Sequence, residues 1–132
     1  MNVQINYKTN PSEKNSANHV LFTDENFNIL ALKKYLLSKE YNFASDLLKL
    51  KDLKKKIVSL DISSKKKIIL ISLKKETRSS ELENLGAKFY DTFKDSKLTD
   101  YILISDTVHI RLKNAVGYFL HGLKLKSYKF EK

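Results

Sequence analysis

An α/β domain with a mixed sheet flanked by helices on both faces is the fold class the sequence predicts, and three observations carry it. Ile68 to Leu73 reads Ile-Ile-Leu-Ile-Ser-Leu, the near-continuous apolar run expected of a strand covered on both sides. Short apolar or alternating runs take turns along the chain with stretches of three- and four-residue periodicity. One link, Ser63 to Lys67, is short enough for a hairpin, so the sheet is mixed rather than purely parallel.

Val3, Ile5 and Tyr7 alternate with polar residues and predict a half-buried first strand. Thr9 to Asn18 is polar, holds the sole proline (Pro11), and reads as a loop. His19 to Thr23 is a short apolar run read as a buried strand, and Asp24 to Asn28 as a turn. Ile29, Leu30, Leu32, Lys33, Leu36 and Leu37 have helical spacing, and Tyr41 to Lys54 reads either as a second helical stretch through Phe43, Leu47, Leu48 and Leu50 or as an ordered loop. Lys54, Lys55 and Lys56 form a solvated turn ahead of a strand through Ile57, Val58, Leu60 and Ile62.

After the apolar strand, Ser80 and Glu83 fit a capping box, and Leu82, Leu85, Phe89 and Phe93 line one face of the helix that follows. Gly86 within it costs about 1 kcal/mol relative to alanine, which close packing on a neighbour would explain. Tyr101 to Ile104 is a further strand. Asp106 is placed to cap a last helix whose face is Leu112, Ala115, Val116, Phe119, Leu120 and Leu123. Leu125, Ser127, Tyr128 and Phe130 fall out of that step. Residues 1–126 are therefore read as one domain and 127–132 as the beginning of a linker.

The 132 residues fit one domain and can hide roughly two thirds of their unfolded surface without a disulfide or structural metal. The absence of cysteine excludes disulfide frameworks and cysteine-ligated zinc. No run is long enough to span a bilayer, and Met-Asn-Val-Gln-Ile-Asn-Tyr-Lys at the start has no apolar signal core, so a cytoplasmic protein is expected. The net charge of +10 raises a nucleic-acid reading. Against it, the basic residues are nearly all lysine and lie along the whole chain, with only Arg78 and Arg111 offering the planar guanidinium fork.

The search for chemistry assigns no catalytic, cofactor-binding or metal-ligating residue. His19, His109 and His121 form no His-x-x-x-His pair, and His109 and His121 stand about 120° apart on an ideal helix. All three read as ordinary surface or strand-end residues. Asp24 with Glu25 and Glu81 with Glu83 sit at turns or caps, and Asp106 with His109 reads as a cap followed by a first-turn histidine. Gly86, Gly117 and Gly122 all fall in predicted helices, which leaves no glycine-rich loop to cradle a phosphate.

Gly122-Leu123-Lys124-Leu125-Lys126-Ser127-Tyr128-Lys129-Phe130 resembles the Gly-Leu-x-Leu-x-Ser-Tyr-x-Phe segment of leucyl aminopeptidases (cytosol aminopeptidases), which lies near the junction of their N-terminal and catalytic domains. Ile68 to Leu73, a polar loop, and Glu81 to Ala87 look like that family's buried strand, loop and helix. The chain departs from the family in having Ser72-Leu73-Lys74 where Gly-Leu-Gly often stands.

The resemblance implies a macro-domain-like, non-catalytic N-terminal domain that supports packing and oligomer assembly. Its partners would be its own C-terminal catalytic domain and the other subunits of a hexamer. The two divalent metals, manganese or zinc, would belong to that catalytic domain, which removes N-terminal residues from peptides. None of its ligands has a counterpart in this chain. A small lysine-rich nucleic-acid-binding domain is the alternative, and an ADP-ribose-binding macro-like module a third possibility.

Overall fold

The computed structural model describes residues 4–8, 18–51, 53–63, 66–96, 100–104, 107–108 and 114–131. Among these residues five strands form one sheet: β1 (Gln4–Lys8), β2 (Asn18–Thr23), β3 (Ile57–Ser63), β4 (Lys66–Ser72) and β5 (Asp100–Ile104). Their order is β1-β5-β2-β4-β3. Every neighbouring pair is parallel except β3 and β4, which are antiparallel, with a register shift between Asp61 and Ser63. The hairpin inferred from the short link is thus present, and the sheet is mixed.

Among the described residues three helices accompany the sheet: α1 (Ser38–Leu50), α2 (Ser79–Phe93) and α3 (Ala115–Glu131), with a 3-10 segment, Leu30–Tyr35, ahead of α1. Alternation along the strands sorts the side chains onto two faces. Val20, Phe22, Ile69, Ile71, Tyr101 and Leu103 pack with α2 and α3. Leu21, Ile68, Leu70, Ile102 and Ile104 pack with the 3-10 segment and α1. Both faces are covered, which is why Ile68 to Ile71 tolerates no polar residue.

At the centre of the first layer the Phe119 ring meets Phe22 and Phe89 edge-on, with centroids 5.7 Å apart in both pairs. Phe89 also meets Tyr101 edge-on at 5.4 Å. Edge-to-face pairs of this kind add about 0.5–1.5 kcal/mol beyond the area they bury.

Gly86 and Gly122 explain how closely the two helices of that layer approach. A Cβ at Gly86 would collide with the Phe119 carbonyl oxygen, and one at Gly122 with the Glu83 carbonyl oxygen. The close packing inferred for Gly86 is present, and it is reciprocal.

Several sequence expectations are corrected. The spacing from Ile29 to Leu37 forms a 3-10 segment, not an α-helix: Ile29, Leu32 and Tyr35 are buried at three-residue steps, the repeat of a 3-10 turn. α1 starts at Ser38 and buries Glu40, Ala44 and Leu48, so Phe43 and Leu50 are not its core face. α2 starts one residue earlier than its expected cap at Ser80. Glu81 rather than Glu83 reaches back, accepting the Arg78 N–H at 3.3 Å.

The last helix begins at Ala115, not after Asp106. Just before it Asn114 has φ 57, a left-handed conformation that a short polar residue tolerates. Ala115, Val116, Phe119 and Leu123 are buried and Leu120 partly so, as their spacing predicts. The helix also runs through 127–131, past the break in step read at Leu125. Asp106, His109, Arg111, Leu112 and most of the Thr9 to Asn18 loop lie outside the described residues.

Candidate functional site

Because β2, β4 and β5 are parallel, their carboxyl ends open on one rim, the place where open α/β sheets present ligand sites. A cleft of about 430 Å³ there is lined by Thr23, Asp24, Glu25, Asn26, Leu73, Lys74, Lys75 and Glu76. The loop on its β2 side is built by Asp24, whose Oδ1 accepts the N–H groups of Asn26 (2.9 Å) and Asn28 (3.0 Å). This geometry drives Phe27 to φ 55, a strained value for an aromatic residue, of the order of 1–3 kcal/mol, and burial of its ring offsets the cost.

The β4 side holds Ser72, Leu73 and Lys74. The Leu73 N–H donates to the Thr23 carbonyl at 3.0 Å and its side chain is buried, so that loop is shaped by pairing with β2 rather than by glycine. The hydroxyls of Thr23 and Thr77 donate to backbone carbonyls at 2.9 and 2.7 Å. Asp24 and these hydroxyls are therefore engaged in holding the loops. The rim mixes carboxylates and lysines, and the cleft has no single charge sign with which to attract an anion or a cation.

Behind β5, Thr107 clasps two strands together. Its hydroxyl donates to the Ile104 carbonyl at 2.6 Å and accepts the Phe22 N–H at 2.9 Å.

At the opposite end of the strands, beneath α1, lies a buried polar cluster that the sequence reading missed. Lys66 Nζ donates to Glu40 Oε2 at 2.5 Å, and both side chains are about nine-tenths buried. Glu40 Oε1 also accepts the Leu37 N–H at 3.1 Å, so one carboxylate both starts the helix and pairs with the sheet. His19 lies on the same face and is 1% exposed. Burial, reinforced by the positive charge of Lys66 and opposed by Glu40, lowers its pKa to about 4, so it is neutral at physiological pH.

His19 stands near the start of β2, the strand-end position expected for it, but it is buried rather than at the surface because it keeps step with Leu21. The available signal was its position opening an apolar strand. For Glu40 the signal was its four-residue spacing from Ala44 and Leu48.

No protein-family model, curated protein or solved structure matches the chain.

Among the remaining residues singled out in the sequence, His121 and Glu83 meet across α3 and α2, with Nδ1 2.7 Å from Oε2. Both are substantially exposed, the setting in which ion pairs contribute least. Glu81 instead stands 3.9 Å from Lys56. Among the described residues no three His, Asp or Glu side chains gather in a way that could hold a metal ion, and no helix is long and apolar enough to cross a membrane.

Proposed function

We propose that this chain is a macro-domain-like accessory domain of a cytoplasmic leucyl aminopeptidase, supporting the packing and hexameric assembly of a two-metal exopeptidase without contributing catalytic groups. The observation that carries the reading is the role of Gly122, which opens the segment resembling the aminopeptidase junction. In the fold it is the point where α3 rests on the α2 backbone, so the residue shared with that segment has a packing reason to be glycine. A mixed sheet covered on both faces is compatible with the reading. The loop of Ser72, Leu73 and Lys74 departs from the family's Gly-Leu-Gly and offers no glycine cradle for a phosphate, which speaks against the ADP-ribose-binding alternative.

The catalytic domain of a leucyl aminopeptidase, produced with and without this chain joined ahead of it, provides the test. Sedimentation should show hexamers more resistant to dissociation when the chain is present. The isolated chain should not turn over leucine-p-nitroanilide with manganese. Turnover by the isolated chain, or identical assembly with and without it, overturns the proposal.

A further inference from the structure

β2 and β4 are neighbours whose chains leave the sheet on opposite faces. β2 leads into the 3-10 segment on one face, and β4 leads into α2 on the other. Loops that part in this way leave a crevice at the carboxyl ends of the strands, where open α/β sheets bind ligands. Beside the mixed-charge cleft, and sharing Glu25, Asn26 and Lys74 with it, lies a second cavity of about 200 Å³. The turn ahead of β3 forms part of its wall. That turn is tied to the end of β4 by the Ser72 N–H, which donates to the Lys56 carbonyl at 2.8 Å.

The cavity has the excess of charge that the cleft lacks. Lys54, Lys55, Lys56 and Lys74 line it against two carboxylates, Glu25 and Glu81. Glu81 is committed within the fold: Oε1 accepts the Arg78 N–H at 3.3 Å, and Oε2 stands 3.9 Å from Lys56. Among the described residues, Lys55 and Lys74 have no ion-pair partner. Ser72 lines the same cavity. It is only 9% exposed, and its hydroxyl has no hydrogen-bond partner among the described residues. A buried hydroxyl is ordinarily satisfied. Here it stands with two unpaired ammonium groups around one space, a set of donors that an anionic oxygen would complete.

We propose that this cavity holds the phosphate of a small sugar phosphate. Lys55, Lys74 and the Ser72 hydroxyl would take the phosphate oxygens, and the sugar hydroxyls would extend into the adjoining cleft toward Glu25, Asn26 and Glu76. Lysine binds phosphate as a point charge and needs no glycine cradle. Carboxylates and an amide oxygen are the acceptors that sugar hydroxyls use. A nucleic-acid strand fits less well, because its further phosphates would run over Glu25 and Glu76. The site stands whether or not the chain belongs to a leucyl aminopeptidase.

The test is isothermal titration calorimetry of the full chain with glucose-6-phosphate, beside glucose and inorganic phosphate. Saturable binding of the sugar phosphate is expected, weaker for inorganic phosphate and absent for glucose. Lys55→Gln/Lys74→Gln should weaken it about tenfold or more, and Ser72→Ala about tenfold. Lys49→Gln/Lys51→Gln removes the same charge elsewhere and should bind as the wild type does. All four lysines are exposed, and circular dichroism checks that each variant folds.

No saturable binding of glucose-6-phosphate overturns the proposal, as does equal binding by wild type and Lys55→Gln/Lys74→Gln. Equal loss in both lysine pairs also overturns it, since that marks general attraction to a basic chain. So does glucose or inorganic phosphate binding as tightly as the sugar phosphate, or a labelled oligonucleotide that binds more tightly and displaces it.

Discussion

Gly122 lies directly against the backbone carbonyl of Glu83, and the reciprocal approach of Gly86 to the Phe119 carbonyl brings α2 and α3 together at both ends of one short contact. Helices that close have little room for side chains between them. The aromatic rings of Phe89 and Phe119 meet just beside this contact and fill the space over β2 and β5.

Gly122→Ala should therefore destabilise the fold, even though alanine favours helix by about 1 kcal/mol. The obstructing atom is backbone oxygen, which can yield only by moving a helix, and overpacking of this kind costs about 1–3 kcal/mol. Gly117→Ala is the control, since the three atoms nearest a Cβ there belong to the Asn114 side chain, on an exposed residue that can turn away. Urea denaturation of the two variants should give shifts of opposite sign, or a large loss against almost none.

Removing one member of the buried pair should be far worse than removing both. Glu40→Gln leaves the Lys66 ammonium without its carboxylate, a loss of about 3–5 kcal/mol for a pair this buried. The double variant Glu40→Gln/Lys66→Met, which removes both charges, should recover most of that, with Lys66→Met as the second single variant. A double-mutant cycle by chemical denaturation measures the coupling; additive losses would show that the pair does not act as a unit.

His19 should make stability fall on the acid side. An unfolded chain takes up a proton at this residue near pH 6.5, while the native state does so only near pH 4. The unfolded state therefore binds more protons between these values. The contribution is full above about pH 6.5, shrinks as the pH drops towards 4, and is constant below that. The total is on the order of 3 kcal/mol. Urea midpoints at pH 7, 5.5 and 4 should trace this decline, and His19→Leu should flatten it.

Thr107→Val keeps the shape of the side chain but strips the Phe22 N–H of its acceptor. Leaving a buried donor unpaired should cost about 1–3 kcal/mol. Thr107→Ser keeps the hydroxyl and should recover much of the loss. Amide exchange at Phe22, followed by NMR, should accelerate in the valine variant and not in the serine one.

Sequence by itself determined the layers of this protein. The apolar runs of Ile68 to Leu73 and Tyr101 to Ile104 and the spacing of Leu82, Leu85, Phe89 and Phe93 each depend on residues close in the chain, which dictate the local conformation and the faces to be buried. The packing reason for Gly86 was legible for the same reason, since a helix tolerates glycine poorly unless something lies against it.

Tertiary structure alone decided which polar groups are buried and which apolar groups are not. Glu40, Lys66 and His19 stand far apart in sequence, and no local period joins them. They meet because β2 and β4 are parallel neighbours that place His19 and Lys66 under the first turn of α1. Phe43 and Leu50 scanned as core for an equally local reason, but a helix lying on a sheet covers only one arc of its surface. Which arc is covered depends on where the strands lie, and that information is carried by long-range pairing rather than by the segment itself.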